Sequence, residues 1–216
     1  MKYDDMIDWT MSGAEVERRS FEQIEAEMPA HNYSSEQWPV VRRMIHACAD
    51  FSIADDVAFH CEPIKAIREA TRRGAPLYCD SNMIRSGVSV ARLGRMNPDY
   101  SRDSVHCLIA DPDVAKIANE RGCTRALAAL EKGREILDGA IVLIGNAPMA
   151  LAGLVRLAER EGIRPAAVVG MPVGFVHVIE SKQMLLTTDI PSIVLQGRRG
   201  GSPLAVAALH GTLESA

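Results

Sequence analysis

Residues 139–182 read GAIVLIGNAPMALAGLVRLAEREGIRPAAVVGMPVGFVHVIESK, and their pattern decides the fold class. Two strand-like apolar runs, Ile141–Ile144 and Ala166–Val169, flank a helical stretch of the length a parallel crossover needs. Each run ends in glycine and then proline, at Gly145-Asn146-Ala147-Pro148 and at Gly170-Met171-Pro172-Val173-Gly174. In open α/β sheets such turns lie at the carboxyl ends of the strands, where ligands bind. Asn146 is the expected N-cap of the helix that Pro148 begins, and free N–H groups at that helix start suit an anionic ligand. The stretch places a site and leaves its chemistry open.

The same alternation extends in both directions. Upstream, Val57–Cys61 and Pro76–Asp80 read as short strands around a helix over 63–73 that Gly74 ends. The stretch Ser81–Gly87, with Met83 inside it, reads as a turn opening at a strand's end. Val105–Ala110 reads as a third strand, closed by Asp111-Pro112-Asp113 with Asp111 as cap, and helical patterns fill 113–121 and 124–137 around Gly122. Downstream come a helix over 180–186, a strand at Ser192–Leu195, the turn Gly197–Ser202 and a last helix over 203–213. Strands alternating with helices predict a three-layer α/β/α domain spanning 1–216, with a mostly parallel sheet of five or six strands.

Two helices, within about 13–49, precede the first strand and are expected to cover a sheet edge or a neighbouring subunit. In the first, Val16, Ser20 and Ile24 share a stripe. Ser20 is then either a buried serine bonded back to its own helix or a hydroxyl directed at a ligand, and the helix alone favours the former. In the second, Val41, Met44, Ile45 and Cys48 form the core stripe, which assigns Cys48 to packing. His46 lies off that stripe, on the side of Arg42, Arg43 and Asp50. That is ordinary solvated surface unless a neighbouring element makes it a pocket wall.

The totals exclude several classes. A net charge of −4 argues against a general nucleic-acid binder. The acidic start MKYDDMIDWT lacks the basic and apolar segments of a signal peptide, and no apolar run has the length of a membrane span. Five dispersed cysteines without a CxxC pair read as reduced thiols of a cytosolic protein. The six histidines show no HxxxH or HExxH spacing, so no metal site is expected. GxSxG, the Walker lysine motif and GxGxxG after a strand are all missing, which lowers hydrolase, NTPase and dinucleotide chemistry. Turns at 80–87, 110–113, 145–148, 170–177 and 197–202 do converge on the expected carboxyl edge. Gly197-Arg198-Arg199-Gly200-Gly201-Ser202 joins cationic side chains to exposed N–H groups, a combination suited to carboxylates or phosphates. Taken alone it is as readily a solvated loop; several such turns on one edge favour a large polyanionic ligand.

Ordered motifs carry a resemblance over Glu15–Leu213. They are Arg43-Met44-Ile45-His46, Asp80…Met83…Gly87, Asp111-Pro112, Gly122-Cys123-Thr124-Arg125, Ile144–Pro148, Gly170–Val176, Glu180-Ser181-Lys182 and Gly197–Ser202. Together they resemble the precorrin-8X methylmutase (precorrin isomerase) family of corrin-ring, or cobalamin, biosynthesis. The resemblance implies a homodimeric, flavodoxin-like, cytoplasmic isomerase that needs no cofactor. It would move a methyl group from C-11 to C-12 of precorrin-8X or cobalt-precorrin-8, giving hydrogenobyrinate or cobyrinate. The histidine of the RMIH motif, here His46, is the implied catalytic proton donor. Ser20 and Arg125 correspond to pocket-lining residues, and Met83, Gly87, Asn146, Gly174, His177, Arg198 and Arg199 complete the expected substrate-binding set.

The chain departs from the family pattern where His177 replaces a usual asparagine, where Ala47-Cys48-Ala49 follows His46, and at Cys123 and Met149. The first of these bears on substrate detail. Rival readings are a non-catalytic corrinoid carrier, a paralogue acting on another tetrapyrrole, and an unrelated flavin binder of the same fold.

Overall fold

The computed structural model describes residues 3–214. In chain order the elements begin with α1 (Gly13–Glu27), α2 (Gln37–Cys48), β1 (Val57–His60), α3 (Pro63–Arg72), β2 (Leu77–Cys79), α4 (Asn82–Gly87), α5 (Val90–Gly94) and β3 (Val105–His106). They continue with α6 (Pro112–Arg121), α7 (Arg125–Lys132), α8 (Arg134–Leu137), β4 (Ile141–Ile144) and α9 (Pro148–Glu161). The last are β5 (Ala167–Gly170), α10 (Val178–Leu186), β6 (Ser192–Leu195) and α11 (Ser202–Thr212). Among the described residues no helix is long and apolar enough to cross a membrane.

The sheet has six strands in the order β1-β6-β5-β4-β2-β3. Only β1 is antiparallel, with Val57 opposite Leu195 at the edge. The other five are parallel and follow the flavodoxin order, which reverses between β2 and β4. The central strands are buried on both faces, which is why they read as unbroken apolar runs. Ile141, Leu143, Val169 and Ile193 face α2, α3 and α11; Val142, Ile144, Val168 and Val194 face α7, α9 and α10. Prolines in the first turn begin α3, α6, α9 and α11, where the missing N–H costs nothing.

Several local expectations are corrected. Ser81–Gly87 is not a turn: Ser81 caps the short helix α4 by accepting the Ile84 N–H at 3.3 Å. The third strand ends at His106, and α5 occupies a stretch for which no element was expected. Asp111 sits at the N-cap of α6 without a capping bond, because Lys132 takes its carboxylate at 2.7 Å. The helix expected over 124–137 breaks at Gly133, where a Cβ would come within 2.9 Å of the Tyr78 ring. Cys48 is exposed, not core, because α2 ends there and Ala49 turns the chain into the left-handed region. Val16 is 47% exposed, so the first-helix stripe reduces to Ile24. The N-terminal helices cover a face rather than an edge. Helix α2 packs on α11, where Gly211 leaves no room for a Cβ against the Val40 backbone.

Candidate active site

At the reversal point the carboxyl ends of β2 and β4 are locked together by one side chain. Asp80, 3% exposed, accepts the N–H groups of Gly145 (3.0 Å), Asn146 (2.8 Å) and Ala147 (2.7 Å). Burial pushes its carboxyl above the ordinary aspartate value, and the three donors oppose that shift. The anion beside this helix start is the protein's own and takes the three N–H groups leading into α9; inside the helix, Ala150 and Leu151 donate to the Ala147 carbonyl at 3.0 and 3.3 Å. Asn146 is not the N-cap: Ala147 holds that position without a side-chain bond, and Asn146 is exposed.

The lock continues into α11. The Ser81 and Ser202 hydroxyls lie 2.8 Å apart, and a Cβ on Gly145 would come 2.9 Å from Ser202 Cα. Gly201 donates to the Met171 carbonyl at 2.8 Å, and Gly200 passes so close to that carbonyl that no Cβ fits. The expected turns at 80–87, 145–148, 170–177 and 197–202 thus form one rigid edge.

Beside this edge α2, α4 and α11 enclose a hollow of about 320 Å³, lined by His46, Met83, Gly87, Ser202, Pro203 and Val206, with His210 and Arg43 in its wall. The lining is mainly apolar. His46 is exposed, and its imidazole meets the Phe21 ring edge-to-face at 5.4 Å. The neighbouring element that makes this side of α2 a pocket wall is α11. Behind the wall, Arg43 is 7% exposed and paired with Glu17 (2.9 Å) and Glu214. Arg92 joins both carboxylates at 3.2 and 3.6 Å. Burial pushes the Glu17 carboxyl up, but the bond to Arg43 and the nearby cations outweigh it and hold it below the ordinary value.

The remaining sequence candidates are dispersed. The Ser20 hydroxyl donates back to the Val16 carbonyl at 2.7 Å, the ordinary outcome for a helical serine. Arg125 is exposed at the start of α7, whose core residues pack on the sheet face opposite His46. Arg199 is held by Asp50 (2.9 Å), Ser52 and Asp56 (2.6 Å), so its guanidinium ties the 197–201 loop to the turn before β1. Arg198 is exposed, with Cζ 5.8 Å from the centroid of the exposed Phe175 ring. Gly174 and His177 lie in the turn between β5 and α10, both at positive φ, +140° and +59°. His177 occupies a left-handed position, where asparagine and histidine are among the tolerated side chains. The backbone at this position accommodates either residue.

Three residues escaped the sequence reading of individual side chains. Asp80 stands in the sequence as the last residue of a strand and as part of a family motif, with no role of its own. Lys182 is 1% exposed and lies on the stripe Val178, Ser181, Lys182, Leu185, all buried, a spacing that marks a lysine on an apolar face. His210 is 8% exposed; its Nε2 accepts the Ser89 N–H at 3.0 Å, and burial followed by the charges of Arg92 and Arg43 pushes its pKa down to about 4.

Two hollows of clearly larger volume lie elsewhere and contain none of the candidates. One, of about 580 Å³, lies between the α1–α2 connection and β1. The other, of about 480 Å³, is a charged cleft along α7, α8 and α9 whose cations are largely paired with Glu131 and Glu161. Among the described residues no cluster of His, Cys, Asp and Glu is arranged to hold a metal.

Residues 15–215 match the precorrin-8X methylmutase family. The chain is 40% identical over 212 residues to the cobalt-precorrin-8 methylmutase of Leptospira interrogans, covering 94% of each. It is 38% identical over 207 residues to the precorrin-8X methylmutase of Pseudomonas aeruginosa, covering 95% of this chain and 97% of that one. The fold superposes on the precorrin-8x methyl mutase of Thermus thermophilus with a TM-score of 0.82 and 43% identity, over 93% of this chain and 95% of that one. The hollow beside the reversal point thus belongs to an isomerase, and the chain is a member of the precorrin-8X methylmutase family.

Proposed function

We propose that the chain isomerises precorrin-8X or its cobalt counterpart, moving a methyl group from C-11 to C-12 to give hydrogenobyrinate or cobyrinate, with His46 as proton donor. The observation that carries this reading is the placement of His46. Its exposed ring lines an apolar hollow at the carboxyl edge, while Nε2 of the other histidine in that wall is engaged by Ser89. The relatives named above act on the two forms of this macrocycle, which supplies the substrate class.

A 1,5-shift breaks one carbon–carbon bond and forms another within a single π system. It consumes no oxidant, reductant or external nucleophile. A proton delivered to a ring nitrogen and later returned lowers the barrier and leaves the atom balance unchanged. Histidine as a residue type exchanges protons near neutral pH, and positioned general acids contribute ~10²–10⁴-fold in rate. Met83, Pro203 and Val206 offer apolar contact to the ring, and Arg198 is an exposed cation for its acetate and propionate groups. A homodimer in the cytoplasm, acting without a cofactor, belongs to the same reading. Exposed Phe175 and Val176 on the carboxyl-edge turn, with Ile179 in the first turn of α10, support a covering partner surface.

The test is an absorption spectrum after excess precorrin-8X, or its cobalt form, is added to wild-type and His46→Ala protein. Wild type is expected to produce a corrin spectrum, and His46→Ala to bind the macrocycle with turnover reduced ~10²–10⁴-fold. Full turnover by His46→Ala would remove the proton donor. A bound, unchanged macrocycle in both proteins would make the chain a carrier.

A further inference from the structure

The loop Gly197–Gly201 is held at three successive carbonyls, at its last N–H and through the Arg199 side chain. Lys182 Nζ donates to the Gly197 carbonyl at 2.9 Å and to the Arg199 carbonyl at 2.7 Å. The carbonyl between them, on Arg198, accepts the Gly174 N–H at 3.2 Å. The Arg199 head is bound by Asp50, Ser52 and Asp56, and the Gly201 N–H is bound by Met171. One charged group of the loop is left unengaged among the described residues. It is the Arg198 guanidinium, beside the Phe175 ring, four residues before Ser202 in the wall of the hollow.

Burying an ammonium group costs several kcal/mol before its partners are counted. Burial pushes the Lys182 pKa down to about 8, against the nearby Asp56 charge. A methionine would fill the same stripe between Val178 and Leu185 without that cost, so the charge acts through the carbonyls it organises. A side chain as mobile as arginine loses rotamer entropy when it grips a carboxylate, and a backbone already fixed reduces the ordering left for binding.

We propose that Lys182 is a positioning residue: it fixes the 197–199 carbonyls so that Arg198 is aimed at a peripheral carboxylate of the substrate macrocycle. The inference rests on the function proposed above and adds to it the residue that sets carboxylate recognition.

The experiment is a double-mutant cycle on KM and kcat with precorrin-8X, using wild type, Arg198→Ala, Lys182→Met and the double variant. Arg198→Ala is expected to raise KM about tenfold with kcat within about twofold, the loss of one charge-assisted contact. Lys182→Met is expected to raise KM nearly as much, and to add less than about twofold once Arg198 is alanine. An equal KM effect of Lys182→Met in both backgrounds, an effect on kcat instead of KM, or no effect at all would each overturn the proposal. If Lys182→Met does not fold, Lys182→Gln makes the same comparison, and Lys182→Arg is expected to restore most of the KM. Conversion by wild type reports on the function itself. If it fails, the same cycle is read from Kd in absorbance titrations with precorrin-8X, where coupling between the two residues supports the positioning role and additivity overturns it.

Discussion

The Asp80 carboxylate and the Ala147 N–H meet at 2.7 Å across the point where the strand order reverses. Together with the bonds to Gly145 and Asn146, this contact holds the ends of β2 and β4 in fixed register beside the hollow. Replacing Asp80 with alanine leaves three backbone donors without their acceptor, two of them buried. We expect Asp80→Ala to destabilise the fold by about 3 kcal/mol in urea unfolding, and Asp80→Asn by about 1–2, since the amide oxygen still accepts. A loss below about 1 kcal/mol for the alanine variant would show that the turn reorganises without its anion.

His177 tests whether the departure from asparagine concerns the backbone or the substrate. At φ +59° the position tolerates Asn and His, whereas a β-branched residue is strained there. His177→Asn is expected to change stability by less than about 0.5 kcal/mol, the range of ordinary surface substitutions, and to leave KM unchanged. His177→Val is expected to cost about 1–2 kcal/mol. A several-fold change of KM in His177→Asn would return the residue to substrate recognition.

What could be read in the chain follows the range of the interaction involved. The runs Ile141–Ile144 and Ser192–Leu195, and Pro148 at the start of α9, are local signals, and these elements form where the pattern puts them. The misassigned N-cap at Asn146 has a distant cause: its backbone N–H is taken by Asp80, 66 residues earlier, which no local window contains, and the N-cap falls on Ala147. Ser81–Gly87 looked like a turn because its polar residues suit one; the Ser81 cap and the contact with Ser202 make it a helix. Cys48 satisfied the core spacing, but the helix ends beneath it and the last turn leaves the core. His46 was separated from solvated surface only by the family motif, because α11, the element that makes its side a wall, lies more than 150 residues away. Lys182 was legible in principle, as a lysine on a buried stripe, yet its carbonyl partners come from a loop beyond the next strand.

His210 makes the acid limb of stability predictable. The groups facing it are Arg92 and Arg43, which disfavour its charged form, Glu17, which favours it, and the Ser89 N–H, which occupies Nε2. Its pKa falls from the ordinary 6.5 to about 4 in the folded protein, so between these values the unfolded chain binds more protons than the native one. Stability from this group is therefore complete above pH 6.5 and is lost as pH falls toward 4, by up to about 3 kcal/mol at 1.36 kcal/mol per pKa unit. His210→Gln removes the titration, while its side-chain oxygen still accepts the Ser89 N–H. The difference in unfolding free energy between wild type and His210→Gln is expected to be flat above pH 6.5. Below that it should turn steadily against wild type, with one proton's worth of slope. Parallel stability curves for the two proteins from pH 7 to 4 would show that the imidazole is protonated in the native state without cost, and that the bond to Ser89 breaks freely.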